Sequence, residues 1–208
     1  MNTNVITLSG LRGGVGTTSL TAMLAQSLYE LGESVLVIDM CSQDLLRLHF
    51  GVSFTDKGWS AIFEDKARWP TQIHLINKRL ALLPFGRSSR VGFEPTLSNC
   101  AELWRYFEQG DAVSINAGTP VDWVLFDMPV LNTSPDHFYF DSDFHFLIAE
   151  VDIAAHILLK QFPIQNPTLV VLNKLNLTQP LSSSLLLGWH MGYRKWIHPI
   201  QFSYDTHI

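Results

Sequence analysis

The sequence predicts an α/β fold built on a doubly wound, mostly parallel sheet with helices on both faces. Three observations carry that expectation. Short apolar runs recur at residues 5–8, 34–38, 80–84, 123–126, 144–149 and 168–172, and strands without polar alternation belong to sheets covered on both sides. Segments with helical spacing fall between many of them, at 18–31, 97–109 and 152–161, and another follows at 181–189; strands alternating with helices build parallel sheets. Asp39, Asp127 and Asn173 each follow directly on such a run, and open sheets of this kind bind ligands at the carboxyl ends of their strands.

The first unit is strand, helix, strand. Residues 18–31 carry Leu20, Met23, Leu24, Ser27, Leu28 and Leu31 along one stripe, and Gly32 follows the last turn as a helix-ending glycine. Residues 40–54 are less regular, with a short helix over 44–50, and a second over 59–65. The strand at 80–84 leads into a loop over 85–95 rich in Gly, Arg and Ser, then the helix at 97–109 and a loop over 110–120. After the remaining strands and helices, a last short strand is expected at 196–200. No internal repeat, low-complexity tract or linker interrupts the pattern, so one domain over 1–208 is expected, short at its C-terminal end.

Length and composition agree with one domain and a large core. The chain has 208 residues, 47% of them hydrophobic and 16% charged. A formal net charge of −5 gives no general attraction to nucleic-acid phosphates or anionic lipid. There is no polybasic run, no signal-peptide pattern and no apolar run long enough to span a bilayer. Cys41 and Cys100 show no metal or redox spacing. A cytoplasmic protein without nucleic-acid binding or a direct membrane anchor is the expectation.

The stretch Ser9-Gly10-Leu11-Arg12-Gly13-Gly14-Val15-Gly16-Thr17-Thr18-Ser19 joins the first strand to the first helix. Strand, glycine-rich loop, helix is the context of a phosphate-binding loop. Gly13, Gly14 and Gly16 let the backbone turn sharply and aim its N–H groups at an anion. The helix start near Thr17 adds unpaired N–H groups and a positive dipole end, and the Thr18 hydroxyl stands where such loops ligate Mg²⁺. The usual pattern is G-x-x-x-x-G-K-[ST]; here Leu11 replaces its first glycine and Thr17 its lysine. A glycine-rich turn without a ligand is the plainer alternative.

Asp39 places a carboxylate at a strand end beside that loop, and Asp127, before Met128 and Pro129, places a second. Nucleotide sites use such acids to hold Mg²⁺ and position water; a helix-capping or ordinary strand-end aspartate is the alternative for each. Asn173 offers an amide that satisfies the donor and acceptor edge of a purine at once, and is equally at home in a plain turn. Thr17 donates one hydrogen bond but brings no charge. Positive charge near a γ-phosphate must then come from Mg²⁺ or from a basic side chain such as Arg12.

The basic residue followed by Gly-Gly-x-Gly-x-Thr resembles the deviant Walker A loop of the MinD/ParA family. In that family a lysine at the position of Arg12 reaches across a dimer to the partner's nucleotide. The second strand usually ends D-x-D, the second acid orienting the attacking water; here that position is Cys41, a poor base. The resemblance implies an adenine contact for Asn173, metal-holding roles for Thr18, Asp39 and Asp127, and catalytic roles for Arg12 and Asp39. Arg12, Thr17 and Cys41 together, with Asp44-Leu45-Leu46-Arg47-Leu48 and Leu82-Leu83-Pro84-Phe85-Gly86, narrow the resemblance to the BcsQ (YhjQ) family of bacterial cellulose secretion systems. That family implies ATP and Mg²⁺ as cofactors, a homodimer across ATP, a small BcsR-like partner, and recruitment to inner-membrane cellulose synthase components.

A nucleotide-gated assembly module with weak or no hydrolysis is therefore the leading expectation, since Thr17 and Cys41 each remove a catalytic element. A cycling MinD/ParA-type ATPase positioning a cellular complex or DNA is the first alternative, and a scaffold that binds no nucleotide is the second. His137, His145 and His156 and the six tryptophans are expected to be surface or packing residues, and the arginines at 87 and 90 part of a solvated loop.

Overall fold

The computed structural model describes residues 3–86, 97–109, 114–115, 119–130, 142–161, 168–176, 178, 180–193 and 197–203. The loop at 87–90, His137, Trp196 and the side chain of Cys100 lie outside the described residues.

The chain forms β1 (Asn4–Gly10), α1 (Thr17–Glu30), β2 (Val35–Asp39), the short α2 (Leu46–His49), two 3₁₀ turns (Trp59–Ile62 and Lys66–Gln72), β3 (His74–Asn77), β4 (Leu80–Leu83) and α3 (Leu97–Gln109). It continues through the small hairpin β5 (Ser114–Ile115) and β6 (Thr119–Pro120), then β7 (Trp123–Asp127), β8 (Phe144–Ala149), α4 (Ile153–Gln161), β9 (Thr168–Leu175), α5 (Pro180–Tyr193) and β10 (Ile197–Ser203). One eight-stranded sheet has the order β10-β9-β8-β1-β7-β2-β4-β3. Every pairing is parallel except β3 with β4. Strand β1 is central, and the chain winds away from it in both directions, which places the ligand crevice at its carboxyl end.

The expected doubly wound sheet is present, with three local differences. The antiparallel edge strand β3 was not expected; its residues alternate between half-buried and exposed, and four residues give too little periodicity to read. The segment expected as a helix over 59–65 is a 3₁₀ turn followed by irregular chain. In α1 the buried face is Leu20, Thr21, Ala22 and Ala25, while Met23 and Leu31 point to solvent. The small residues let the helix lie close on the sheet, and the larger Leu24 and Leu28 pack at its margin.

Alternate residues of one strand feed opposite faces, as the pleat requires. In β2, Leu36 and Ile38 join a cluster with Trp59, Trp69, Phe107 and Phe126, while Val35 and Val37 join the cluster under α1. A third cluster packs α4 and α5 on β8 and β9 around Trp189. Trp59, Trp69 and Trp189 are packing residues, each fully buried.

Trp59 links the core to the crevice. Its Nε1–H donates to the Asp39 carbonyl at 2.8 Å, and its ring meets Phe85 edge-on at 5.2 Å. Gly58 precedes it because the backbone of 84–86 passes so near that a Cβ would lie 2.3 Å from the Pro84 carbonyl oxygen. Replacing Trp59 with Ala is expected to cost about 3–5 kcal/mol of stability. Denaturant unfolding checks this; a loss under about 1 kcal/mol contradicts the packing described.

Candidate nucleotide and metal site

The loop between β1 and α1 is shaped by contacts at both ends. Leu11 and Val15 are buried, and the Leu11 N–H donates to the Ile148 carbonyl at 2.9 Å. A Cβ on Gly10 would lie 2.7 Å from Thr17 Oγ1 and 2.8 Å from the Arg12 carbonyl oxygen, so glycine is what lets the loop fold back on β1. Gly16 caps α1 in the left-handed conformation, φ 91°, and a Cβ there would meet Asn173 Nδ2 at 2.5 Å. No side chain caps α1, and no acid occupies its first turn. Its first N–H groups are thus directed into the crevice without an internal anion, the arrangement that binds phosphate.

Beside the loop, the register of β2 and β7 sets Asp39 directly opposite Asp127. Both are fully buried. Asp39 Oδ1 accepts the Cys41 N–H at 2.8 Å, and Asp127 Oδ1 lies 3.5 Å from the Thr21 hydroxyl. The Oδ2 atoms of both are buried with no hydrogen-bond partner. Burial raises the Asp39 pKa well above the carboxylate range, and the neighbouring Asp127 and Asp44 raise it further. Burial lifts Asp127 to about 7, against the opposing pull of the Thr18 and Thr21 hydroxyls. Two adjacent carboxylates with orphaned oxygens and a facing hydroxyl are a hard oxygen-donor set, and they fit Mg²⁺.

Asn173 and Lys174 approach the loop from β9. Asn173 Nδ2 donates to the Val15 carbonyl at 2.8 Å. Lys174, held at a positive φ of 52°, donates to the Gly14 carbonyl at 2.5 Å and pairs with Glu150 at 2.7 Å. Arg12 pairs with the other oxygen of Glu150 and with Asp152, both at the end of β8. Gly13 and Gly14 of the loop and Ser19 of α1 are exposed, and the Ser19 hydroxyl lies 3.4 Å from His49 Nε2. Thr17 and Thr18 occupy the first turn of α1. The expected site residues thus stand on the β1–α1 loop, in the first turn of α1, at the ends of β2 and β7, and near the end of β9.

The family model described as "Cellulose biosynthesis protein BcsQ" matches residues 3–207. The chain belongs to the BcsQ family. The BcsQ of Salmonella typhi is 34% identical over 197 residues, covering 92% of this chain and 76% of that protein. Among solved structures, a ParA family ATPase from Chlorobium tepidum superposes with a TM-score of 0.65 at 15% identity, covering 99% of this chain and 86% of that one. Cobyrinic acid a,c-diamide synthase from Mycobacterium smegmatis, solved with ADP and magnesium, gives 0.68 at 16% identity over 98% of this chain and 88% of that one. This BcsQ-family chain thus has the fold of ParA/MinD-type P-loop ATPases.

Sequence reasoning missed Glu150, Asp152 and Lys174. Their signal was available in one respect, since all three stand at or just beyond strand ends; their convergence on Arg12 and the loop depends on β8 and β9 lying beside β1. His145, set aside as a surface or packing residue, is buried between Ser9 and Thr168, with its nitrogens 2.8 and 3.1 Å from their hydroxyls, and burial lowers its pKa to about 4.

The Asp127 shift gives a pH signature in metal-free protein. An unfolded aspartate titrates near 3.9, so between about pH 4 and 7 the folded chain holds a proton that the unfolded chain has lost. Its contribution to stability falls as pH rises through that window. His145 works in the opposite sense, favouring the folded state as pH rises towards about 6.5. His145 is common to the parent and an Asp127→Asn variant and cancels in their difference, which carries the Asp127 proton and the push of Asp127 on Asp39, both acting in the same direction. In EDTA, the stability of the parent relative to Asp127→Asn is expected to decline from about pH 4 to pH 7. A difference independent of pH contradicts the shift.

Proposed function

We propose that this BcsQ-family protein binds MgATP in the crevice at the end of β1, closes into a homodimer across the nucleotide, and serves as a nucleotide-gated assembly component of a bacterial cellulose secretion system. Weak or absent hydrolysis is part of the proposal. The single observation that carries it is the pair Asp39 and Asp127, buried side by side with two orphaned oxygens next to an uncapped helix N-terminus.

In this proposal the backbone of Gly13, Gly14, Val15, Gly16 and Thr17 surrounds the phosphates, with Ser19 one position further along α1. Thr18, Asp39 and Asp127 hold Mg²⁺, whose chemistry is to neutralise phosphate charge. Asn173 stands at the rim of the loop for the base. Asp39 and Arg12 keep the catalytic positions that the family resemblance gives them. Arg12 reaches the partner's nucleotide after exchanging its bonds to Glu150 and Asp152. That exchange is cheap, because the groups are partly exposed and such surface pairs contribute only about 0–1 kcal/mol.

Two features favour slow turnover. Thr17 brings no charge to the phosphates, and Cys41 stands where the family's water-orienting acid would be. Each loss of a well-placed group costs on the order of 10²–10³ in rate. A BcsR-like partner and inner-membrane cellulose synthase components are the proposed binding partners, with membrane recruitment through them. No helix among the described residues is long and apolar enough to cross a membrane.

Sedimentation velocity and a phosphate-release assay on one preparation test the proposal. A dimer that needs both ATP and Mg²⁺, is lost in Arg12→Ala, and turns over at least about 10²-fold more slowly than a ParA-family ATPase is expected. A monomer at saturating MgATP, full dimerisation of Arg12→Ala, or turnover matching the ParA-family enzyme overturns it.

A further inference from the structure

The same crevice carries a sulfur donor that Mg²⁺ does not need. The Cys41 thiol sits two residues beyond Asp39, and its Sγ lies 3.6 Å from the Asp127 carbonyl oxygen. Sγ and one oxygen each of Asp39 and Asp127 all lie within 4.8 Å of one another. Among the described residues this is the one group of three potential metal ligands that close. The two carboxylates are fully buried and each keeps an Oδ2 without a hydrogen-bond partner. Cys41 is only half-buried, so a cation has access from the mouth of the crevice.

Hard cations such as Mg²⁺ select oxygen and leave a thiol aside, whereas Zn²⁺ and its heavier congener Cd²⁺ accept sulfur and carboxylate oxygen together. Bonds to Zn²⁺ are about 2.0–2.3 Å long, so donors on one ion stand up to about 4.6 Å apart, close to the 4.8 Å within which these three already lie.

We propose that this pocket is a thiophilic divalent-cation site in which Sγ of Cys41 joins the carboxylates of Asp39 and Asp127 around Zn²⁺ or Cd²⁺, in competition with Mg²⁺. The proposal deepens the metal site described above and rests on it. On coordination the metal–sulfur bond replaces the S–H bond, the thiol proton and any proton held by the two carboxyls pass to buffer, and nothing is oxidised or reduced. The thiol that was a poor stand-in for a water-orienting acid thereby makes the pocket selective for a softer ion.

Full-length protein carrying Cys100→Ser, which leaves Cys41 as the one cysteine of the original two, is titrated with Cd²⁺ without nucleotide. The sulfur-to-cadmium charge-transfer absorbance is followed, and Mg²⁺ is the competitor. One Cd²⁺ per chain with that absorbance is expected, displaced by Mg²⁺ only in large excess. Adding Cys41→Ser is expected to abolish the absorbance and weaken Cd²⁺ binding at least about tenfold; Cys41→Asp is expected to shift the preference towards Mg²⁺. No charge-transfer band in the Cys100→Ser protein, or equal Cd²⁺ affinity after Cys41→Ser, overturns the proposal. Mg²⁺-dependent ATP binding by the same protein is measured in parallel. If it persists without a cadmium–thiolate band, this inference fails alone; if both are missing, the metal site fails with it.

Discussion

Two carboxylates buried side by side are the constraint around which this molecule is arranged. Asp39 and Asp127 end neighbouring strands in register, out of reach of water. Like charges that close, in a medium of low polarity, cannot both ionise without a counter-charge. The folded chain has two ways to satisfy them: it keeps protons, as the raised pKa values of both residues describe, or it takes a cation. The first leaves Oδ2 atoms without partners. The second uses them.

Much of the surrounding architecture serves that pair. Trp59 fixes the backbone of Asp39 through its carbonyl, and is itself held by the tight passage of Gly58 against residues 84–86. Met40 N–H donates to the Asp127 carbonyl, so β2 and β7 stay joined one residue past Asp39. On the other side, β1 delivers the glycine loop so that helix N–H groups and carboxylates face one crevice. A cation and a phosphate brought there together would neutralise each other, which is the physical reason for proposing MgATP as the ligand rather than either ion alone.

Legibility in the sequence followed distance along the chain. The glycine loop, the strand ends at Asp39 and Asp127, and the alternation of strands and helices are local signals, and each was readable. The pairing of Asp39 with Asp127 was not, because it depends on β7 inserting between β1 and β2 from more than 80 residues away. The ion network of Arg12, Glu150, Asp152 and Lys174 is hidden for the same reason. In α1 the apolar stripe misled, because Thr21, Ala22 and Ala25 allow closer contact with the sheet than Met23 and Leu31 would.

In the proposed complex a cation completes the Asp39–Asp127 pair so that the loop can hold a triphosphate. Calorimetric titration of ATP into the parent protein and Asp127→Asn, each with and without Mg²⁺, addresses that most directly. Mg²⁺ should tighten ATP binding to the parent at least about tenfold, a difference of about 1.4 kcal/mol, and should have little effect on Asp127→Asn. ATP binding indifferent to Mg²⁺ in the parent, or an equal Mg²⁺ effect in the variant, contradicts it.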